Sequence, residues 1–472
     1  MADTLRIALA RFNPLMAEPE ANAAALDALR AEAAGQGAEL IITPAFSLSG
    51  AVPPALARDP ALAAALESAL AALAARPGPA MLVGAPWRNG TLLHEAVHLL
   101  DGGAIRARRA AHEPGSGFDP GPAPGPVAWR GARLGLMAGR DWRRPATPET
   151  LAETGAELLV ALDSLPHETG GAERILQAAL ARAVENGLPL LLLNRLGAED
   201  EDAHDGAALV LNADRSPALR LPPFTEGLTL TEWRRDGLSW RCVPQPLHAP
   251  PGPEESLWRA LILALRDHAG RHAPAGILLP LTASPDSSLL AVLAMDAFAP
   301  EAIRPVLLDE AALPAAERLG LSPLRPALAP AAAMLSQALG APVAGEDLHR
   351  LALDSLARSG GLLPLVTGSS AIASAFAPLR HLSRAQRRAL AAWRNAHRPA
   401  GLRGPERPAI PLPPEAQAGP GADPPAATLW QSLAHADYKR RHLPPGLNPA
   451  PRAFQDRTHS LGHPNPQEAP AP

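Results

Sequence analysis

The sequence predicts an α/β protein built as two successive units, and three observations carry that prediction. Across residues 1–240, short apolar runs alternate with Ala-rich helical stretches, the pattern of sheets covered by helices. Residues 241–256, RCVPQPLHAPPGPEES, are Pro-rich and read as a linker. Beyond them, GILLPLTASPDSSLLAVLAMDA (276–297) reads as a buried strand, a sharp turn and a helix, the start of a second α/β unit.

Taken in order, the predicted strands of the first unit are 5–10 (LRIALA), 38–43 (AELIIT), 80–84 (AMLVG), 92–100, 133–138 (RLGLMA), 156–162 (AELLVAL), 188–194 and 207–213 (AALVLNA). Its predicted helices fall at 18–35, 60–75, 149–154 and 172–186. In the second unit the strands are 276–281, 304–308 and 362–367, with helices at 255–270, 287–297, 330–339 and 345–358. From 399 onward Pro and Gly dominate. The stretch 405–426 is expected to lack fixed structure, and a short helix is expected at 427–441.

Composition narrows the function classes. A chain of 472 residues has room for two or three domains. Its formal net charge of −4 argues against a nucleic-acid or membrane-surface partner. The longest apolar runs, such as LPLLLLN (188–194), fall far short of a bilayer span of ~20 residues. The opening MADTLRIALARFNP lacks the basic-then-apolar layout of a signal peptide, so a soluble, cytoplasmic protein is expected. One cysteine, Cys242, excludes an intrachain disulfide or a thiolate metal cluster. One lysine, Lys439, stands among many arginines. Base-composition bias accounts for Lys-to-Arg drift at a surface, but not for losing an ammonium that does chemistry.

Four motifs bear on function. HEAVH (94–98) matches a pattern in which two histidines bind zinc and the intervening glutamate is a base. That chemistry needs a helix, whereas TLLHEAVHLLDGG alternates and ends in a turn, as a strand does. On a strand, His94 and His98 stand roughly 13 Å apart, too far for one ion, and the match is read as chance. RLGLMAGRDW (133–142) runs from strand to turn, where a nucleophile could be displayed, but Gly139 stands at the tip. LTASPDSS (281–288) has the layout of a phosphate-cradling turn: Asp286 is a candidate Mg ligand and Ser287 a candidate helix cap. An N-cap after a Pro turn explains the same residues. LVTGSSAIAS (365–374) is a strand and a small-residue turn, facing a nucleotide at the sheet's carboxyl edge or merely connecting two elements.

In this order the segments resemble the glutamine-dependent NAD synthetases, which fuse a carbon–nitrogen hydrolase (nitrilase-like) glutaminase to an ATP-pyrophosphatase-type synthetase. The resemblance is closest in LRIALARFNPL, GAELIITPAFSLSG, LLHEAVHLLDGGAI, GSGFDPGPAPGPVAWRGARLGLM, LAETGAELLVALDSLP and LPLLLLNRLGAEDEDAHDGAALVLNADRS. It is looser in ILLPLTASPDSSLLAVLAMDAF, EDLHRLALDSL, LVTGSS and ADYKRRHLPPG. It implies an N-terminal αββα sandwich (1–240), a linker (241–256), a shortened synthetase-like domain with a parallel sheet like that of adenine-nucleotide hydrolases (257–398) and a Pro-rich tail (399–472). The small molecules it implies are deamido-NAD, glutamine and ATP with Mg, and the reaction is an ATP-dependent C–N ligation.

The resemblance also implies which positions carry the chemistry. A nitrilase-type site needs a cysteine thiolate that attacks the amide, a glutamate that moves the proton and a lysine that stabilises the anionic intermediate. The matching positions here are Gly139, Ala45 and Ala110, with Arg109, His112, Glu113 and Asp141 nearby. The family's Ser-Gly-Gly-x-Asp-Ser loop appears as Thr282, Ala283, Ser284, Pro285, Asp286 and Ser287. Its Thr-Gly-Asn-Lys-Ser-Glu appears as Thr367, Gly368, Ser369, Ser370, Ala371 and Ile372. Thr282, Ser284, Asp286, Ser287, Thr367 and Gly368 are thus the candidate nucleotide contacts, and arginines of APLRHLSRAQRRAL (377–390) are candidates to meet phosphate. The expectation is a catalytically degenerate homologue with a binding or regulatory role, acting as a homo-oligomer or beside an active paralogue. The alternatives are a working ammonia- or glutamine-dependent synthetase, or an unrelated activity in the old hydrolase pocket.

Overall fold

The computed structural model describes residues 3–199, 201–368, 374–399 and 401–412. They divide into two units. The first comprises residues up to Gly197 together with Ala203–Pro251. The second comprises Ala198–Asp202 and the described residues from Gly252 onward.

The first unit opens with β1 (Thr4–Arg11), α1 (Pro19–Gly35), β2 (Leu40–Ile42), α2 (Pro54–Ala57), α3 (Pro60–Ala75), β3 (Ala80–Asn89), β4 (Leu92–Asp101) and β5 (Ala104–Ala110). It continues with β6 (Val127–Trp129), β7 (Ala132–Ala138), α4 (Ala146–Glu153), β8 (Leu158–Asp163), α5 (Gly171–Asn186) and β9 (Leu190–Asn194). The short β10 (Leu196–Glu199) and β11 (Asp202–Asp205) straddle the division, Ala198–Asp202 counting with the second unit, and the first unit resumes with β12 (Ala208–Leu211), β13 (Pro217–Arg220), β14 (Gly227–Asp236) and β15 (Ser239–Cys242). Seven strands form one sheet in the order β15-β14-β1-β2-β3-β4-β5, and six form a second in the order β13-β12-β9-β8-β7-β6.

The inner faces of the two sheets share one core. Ile7, Leu9, Leu82, Val97 and Leu99 of the first sheet pack with Leu134, Leu136, Val160, Leu162 and Leu193 of the second. The outer face of the first sheet is covered by α1 and α3 through Leu26, Leu66, Leu70, Met81 and Val83. The outer face of the second is covered by α4 and α5 through Leu151, Ala179, Ala183, Leu159 and Leu190. The layers therefore run α-β-β-α, as expected. Helix α3 shows how local sequence sets this up. Asp59 accepts from the Ala61 and Leu62 N–H groups, Pro60 occupies the first turn, and the apolar stripe Leu62, Leu66, Leu70, Leu73 faces the sheet.

The structure adds strands that the pattern reading missed: β5, β6, β10, β11, β13, β14 and β15. The largest, β14, carries Glu232, Arg234, Arg235 and Asp236 and gives no clean alternation. It is a strand because it pairs antiparallel with β1 along all of β1's length, from Thr4–Arg234 to Arg11–Gly227. Strand β15 also holds Cys242, fully buried, inside the sheet rather than in a linker. The irregular stretch begins at Val243 and ends where the next helix opens at Pro253.

The second unit contains α6 (Pro253–His272), β16 (Gly276–Leu281), α7 (Pro285–Ala297), β17 (Ile303–Leu307), α8 (Leu313–Arg318), α9 (Leu328–Leu339), α10 (Gly345–Gly360), β18 (Leu362–Pro364) and α11 (Arg384–Ala396). Its three strands, in the order β17-β16-β18, are all parallel. A buried ion pair joins its helices: Arg394 of α11 meets Asp296 of α7 at 2.7 Å, and Trp258 of α6 donates to the same carboxylate at 2.9 Å. The segment after α11 is packed at its start, against expectation. Asn395 donates to Ile410 O and accepts from the Ala409 and Ile410 N–H groups, and both residues are buried. The helix expected at 427–441, and Lys439 within it, lie outside the described residues. Among the described residues no helix is long and apolar enough to cross a membrane.

Candidate functional site

In the first unit, Ala45 lies just past β2, Ala110 ends β5 and Gly139 follows β7. All three are buried. Each of them, or its immediate neighbour, contributes to the core between the two sheets. Ala45 belongs to the same buried cluster as Ala111 and Ala138. Ala110 pairs with Ala96 of β4, and the Ala111 N–H donates to Glu95 O at 2.8 Å. The backbone at Gly139 is left-handed, with φ +54°. A Cβ added there would lie 2.5 Å from Glu95 Cδ and 2.6 Å from its Oε2.

Glu95 is thus the side chain at the centre of the site. It is 6% exposed and accepts a long contact, 3.5 Å, from the Gly115 N–H. Burial pushes its pKa up to about 7, helped by the nearby carboxylates of Asp163 and Asp141. Sequence reading met Glu95 only as the middle of HEAVH. The available signal was its strand register: it shares a face of β4 with Val97 and Leu99, which enter the inter-sheet core.

The flanking groups hold the loop after β5. Asp141, 1% exposed, accepts from the backbone N–H groups of His112 (3.0 Å) and Glu113 (2.8 Å). Burial raises its pKa, and those two donors oppose the rise. His112 donates from Nδ1 to Gly121 O at 3.0 Å, the Glu113 carboxylate pairs with Arg144 at 3.1 Å, and Arg109 donates to Gly125 O. These groups are engaged in loop structure. A Cβ at Gly121 would meet the Ala110 Cβ at 2.6 Å, so the loop occupies the room beside Ala110. Phe46 and Phe118 pack together with ring centroids 5.8 Å apart. Asp163 accepts from Trp142 Nε1 at 2.5 Å and pairs with Arg143 at 3.2 Å.

His94 and His98 both lie on β4. His94 Nδ1 donates to Asp119 O at 2.8 Å and His98 Nε2 to Ala85 O at 3.3 Å. Among the described residues no group of three or more His, Cys, Asp or Glu side chains is placed to hold a metal ion.

In the second unit, the turns after β16 and β18 leave the same carboxyl edge of neighbouring parallel strands. Thr282, Ser284, Asp286 and Ser287 stand on the first, and half-buried Thr367 and Gly368 on the second. Ser369–Ile372 lie outside the described residues. The cap of α7 is Ser284, not Ser287, because Pro285, with its fixed φ, takes the first helical position. Ser284 Oγ accepts from the Ser287 N–H at 3.2 Å, and Ser287 Oγ accepts from the Thr282 N–H at 3.0 Å. Asp286 pairs with Arg387 of α11 at 2.6 Å, and Arg387 also donates to Leu379 O. Within the arginine-rich stretch proposed to meet phosphate, Arg387 therefore meets a carboxylate.

Comparison with known proteins matches the carbon–nitrogen hydrolase family to residues 6–238. The glutamine-dependent NAD(+) synthetase of Rhodobacter capsulatus is 35% identical over 307 residues, 63% of this chain and 56% of that protein. The match thus spans little more than half of that relative's length. The protein of the same name from Xanthomonas campestris pv. campestris is 26% identical over 441 residues, 84% of this chain and 79% of that one. Among solved structures, the glutamine-dependent NAD+ synthetase of Acinetobacter baumannii, in complex with ADP, superimposes with a TM-score of 0.77 at 22% identity. That superposition covers 92% of this chain and 88% of the other. The Cytophaga hutchinsonii enzyme gives 0.66 at 14% identity, covering 83% and 81%. These structural likenesses establish the fold.

Proposed function

We propose, from its similarity to the carbon–nitrogen hydrolases and to the glutamine-dependent NAD(+) synthetases, that this chain is a folded member of the synthetase family without the family's catalysis, serving as a binding, regulatory or assembly partner. The observation that carries the proposal is the hydrolase site itself. Where that chemistry needs a thiol, an ammonium and a free carboxylate, this chain has Gly139, Ala110 and Ala45, and a buried glutamate fills the space at position 139. Among the described residues no thiol or ammonium stands in. Burial pushes the Cys242 thiol up to about 12, so it remains a protonated core side chain. Losing a covalent nucleophile alone lowers turnover about a millionfold.

The second unit supports the same reading. A Mg2+-bound pyrophosphate group does not fit the turn after β16 as this chain builds it. Pro285 has no N–H, the Thr282 and Ser287 N–H groups already have partners within the turn, and Asp286 is neutralised by Arg387. Ala283 and Ser284 carry Cβ atoms where the resemblance places glycines.

The test is to incubate the purified chain with glutamine, and with deamido-NAD, ATP, Mg2+ and either glutamine or ammonia. Ammonia release and NAD formation are expected to stay at the no-protein background, and calorimetry is expected to show no heat of ATP binding. Glutamine hydrolysis or NAD formation well above background would end the proposal.

A further inference from the structure

We infer that Glu95 has taken over the volume of the missing nucleophile, so that the hydrolase site is closed by two coupled residues and a thiol returned to position 139 alone finds no room. The inference deepens the proposed reading and rests on its assignment of Gly139 as the nucleophile's position. Its geometry stands independently of that assignment.

Two separate obstacles face any side chain at 139. One is the left-handed backbone, φ +54°, which disfavours every residue bearing a Cβ. The other is the Glu95 carboxyl, 2.5 Å (Cδ) and 2.6 Å (Oε2) from where that Cβ would be. A clash with the end of a surface glutamate is relieved by a rotamer change. For Glu95, burial restricts that change, although the Arg140 charge also acts on it. It is 6% exposed on the inner face of β4, and it lies near the carboxyl groups of Asp163 and Asp141. Moving it toward either brings like charges together. Retreat toward position 110 meets the loop, because Gly121 already packs against the Ala110 Cβ. The small residue at 139 and the large one at 95 therefore depend on each other as packed core neighbours do.

The full-length chain tests this as a double-mutant cycle of wild type, G139C, E95A and G139C/E95A. Two quantities are read: the thermal midpoint, and the rate at which iodoacetamide labels the thiol introduced at position 139, located by peptide mass. Cys242, fully buried, is the unreactive internal thiol. The backbone obstacle acts in both backgrounds, whereas the Glu95 obstacle acts in one. The G139C substitution is expected to lower the midpoint at least twice as far with Glu95 present as with alanine there. Labelling of the introduced thiol is expected to be at least tenfold faster in the double variant. A G139C chain that folds only when Glu95 is removed supports the inference in the same way. Equal losses in both backgrounds, failure to fold in both, or rapid labelling at position 139 beside an intact Glu95 would overturn it. Neither readout uses turnover. A wild-type chain that hydrolyses glutamine would sink the silent-member reading without altering this cycle, and an uncoupled cycle would leave that reading standing.

Discussion

Replacing Glu95 by glutamine keeps the side chain's length and its ability to accept from the Gly115 N–H while removing the charge. The wild-type carboxyl has its pKa raised from an ordinary 4.5 to about 7 by burial between the sheets, with Asp163 and Asp141 adding to the rise. A carboxyl whose pKa is raised on folding holds its proton more tightly in the native than in the unfolded state. Stability therefore falls as pH rises from about 4.5 through about 7, and the full penalty is present above that range. Each pKa unit is worth about 1.4 kcal/mol, so the penalty is about 3 kcal/mol above pH 8. Below pH 4.5 the group is protonated in both states and the penalty vanishes. The assay is urea unfolding of wild type and E95Q from pH 5 to pH 9, followed by fluorescence of the buried tryptophans. We expect the variant's advantage to grow across this range and level off at about 2–3 kcal/mol above pH 8. Parallel stability curves across the whole range would refute the reasoning, because they would mean that Glu95 ionises in the fold at no cost.

Three further outcomes follow from the packing. Arg394→Met strands the buried Asp296 carboxylate and is expected to cost about 3–5 kcal/mol, read as a loss of urea midpoint. An apolar replacement of both partners should recover much of that loss. Gly84→Ala places a Cβ 2.6 Å from Ala45 Cα and 2.8 Å from Phe46 N, backbone atoms that cannot swing aside. It is expected to destabilise the first unit by about 1–3 kcal/mol or more in thermal melting. Cys242 is expected to react with a disulfide reagent only after unfolding, and prompt labelling of native protein at pH 8 would contradict its burial and raised pKa.

Much of the fold was legible in local patterns. The buried strands of the two inter-sheet faces are runs of Leu, Ile, Val and Ala, and the helices over them announce themselves by caps, prolines and apolar stripes, as α3 does with Asp59 and Pro60. Of the hidden elements, β5, β6, β13 and β15 pair with the strand next to them in sequence, whereas others take their conformation from a distant partner. Strand β14, full of charge, is held by β1 more than two hundred residues away. The run at 405–412, read as unstructured from its prolines, is held by Arg394 and Asn395 of α11.

The candidate site divides in the same way. That position 139 is a glycine, that 45 and 110 are alanines and that the turn at 282–287 lacks paired glycines are matters of residue identity, open to anyone reading the chain. That Glu95 lies across the sandwich against Gly139, and that Arg387 lies against Asp286, required the packed chain. Those pairs are 44 and 101 residues apart, and no short-range periodicity encodes a contact at that separation. Local composition says what a backbone segment prefers to be, whereas close packing of remote side chains decides which carboxylate ends up buried, which ends up paired and which volume remains open.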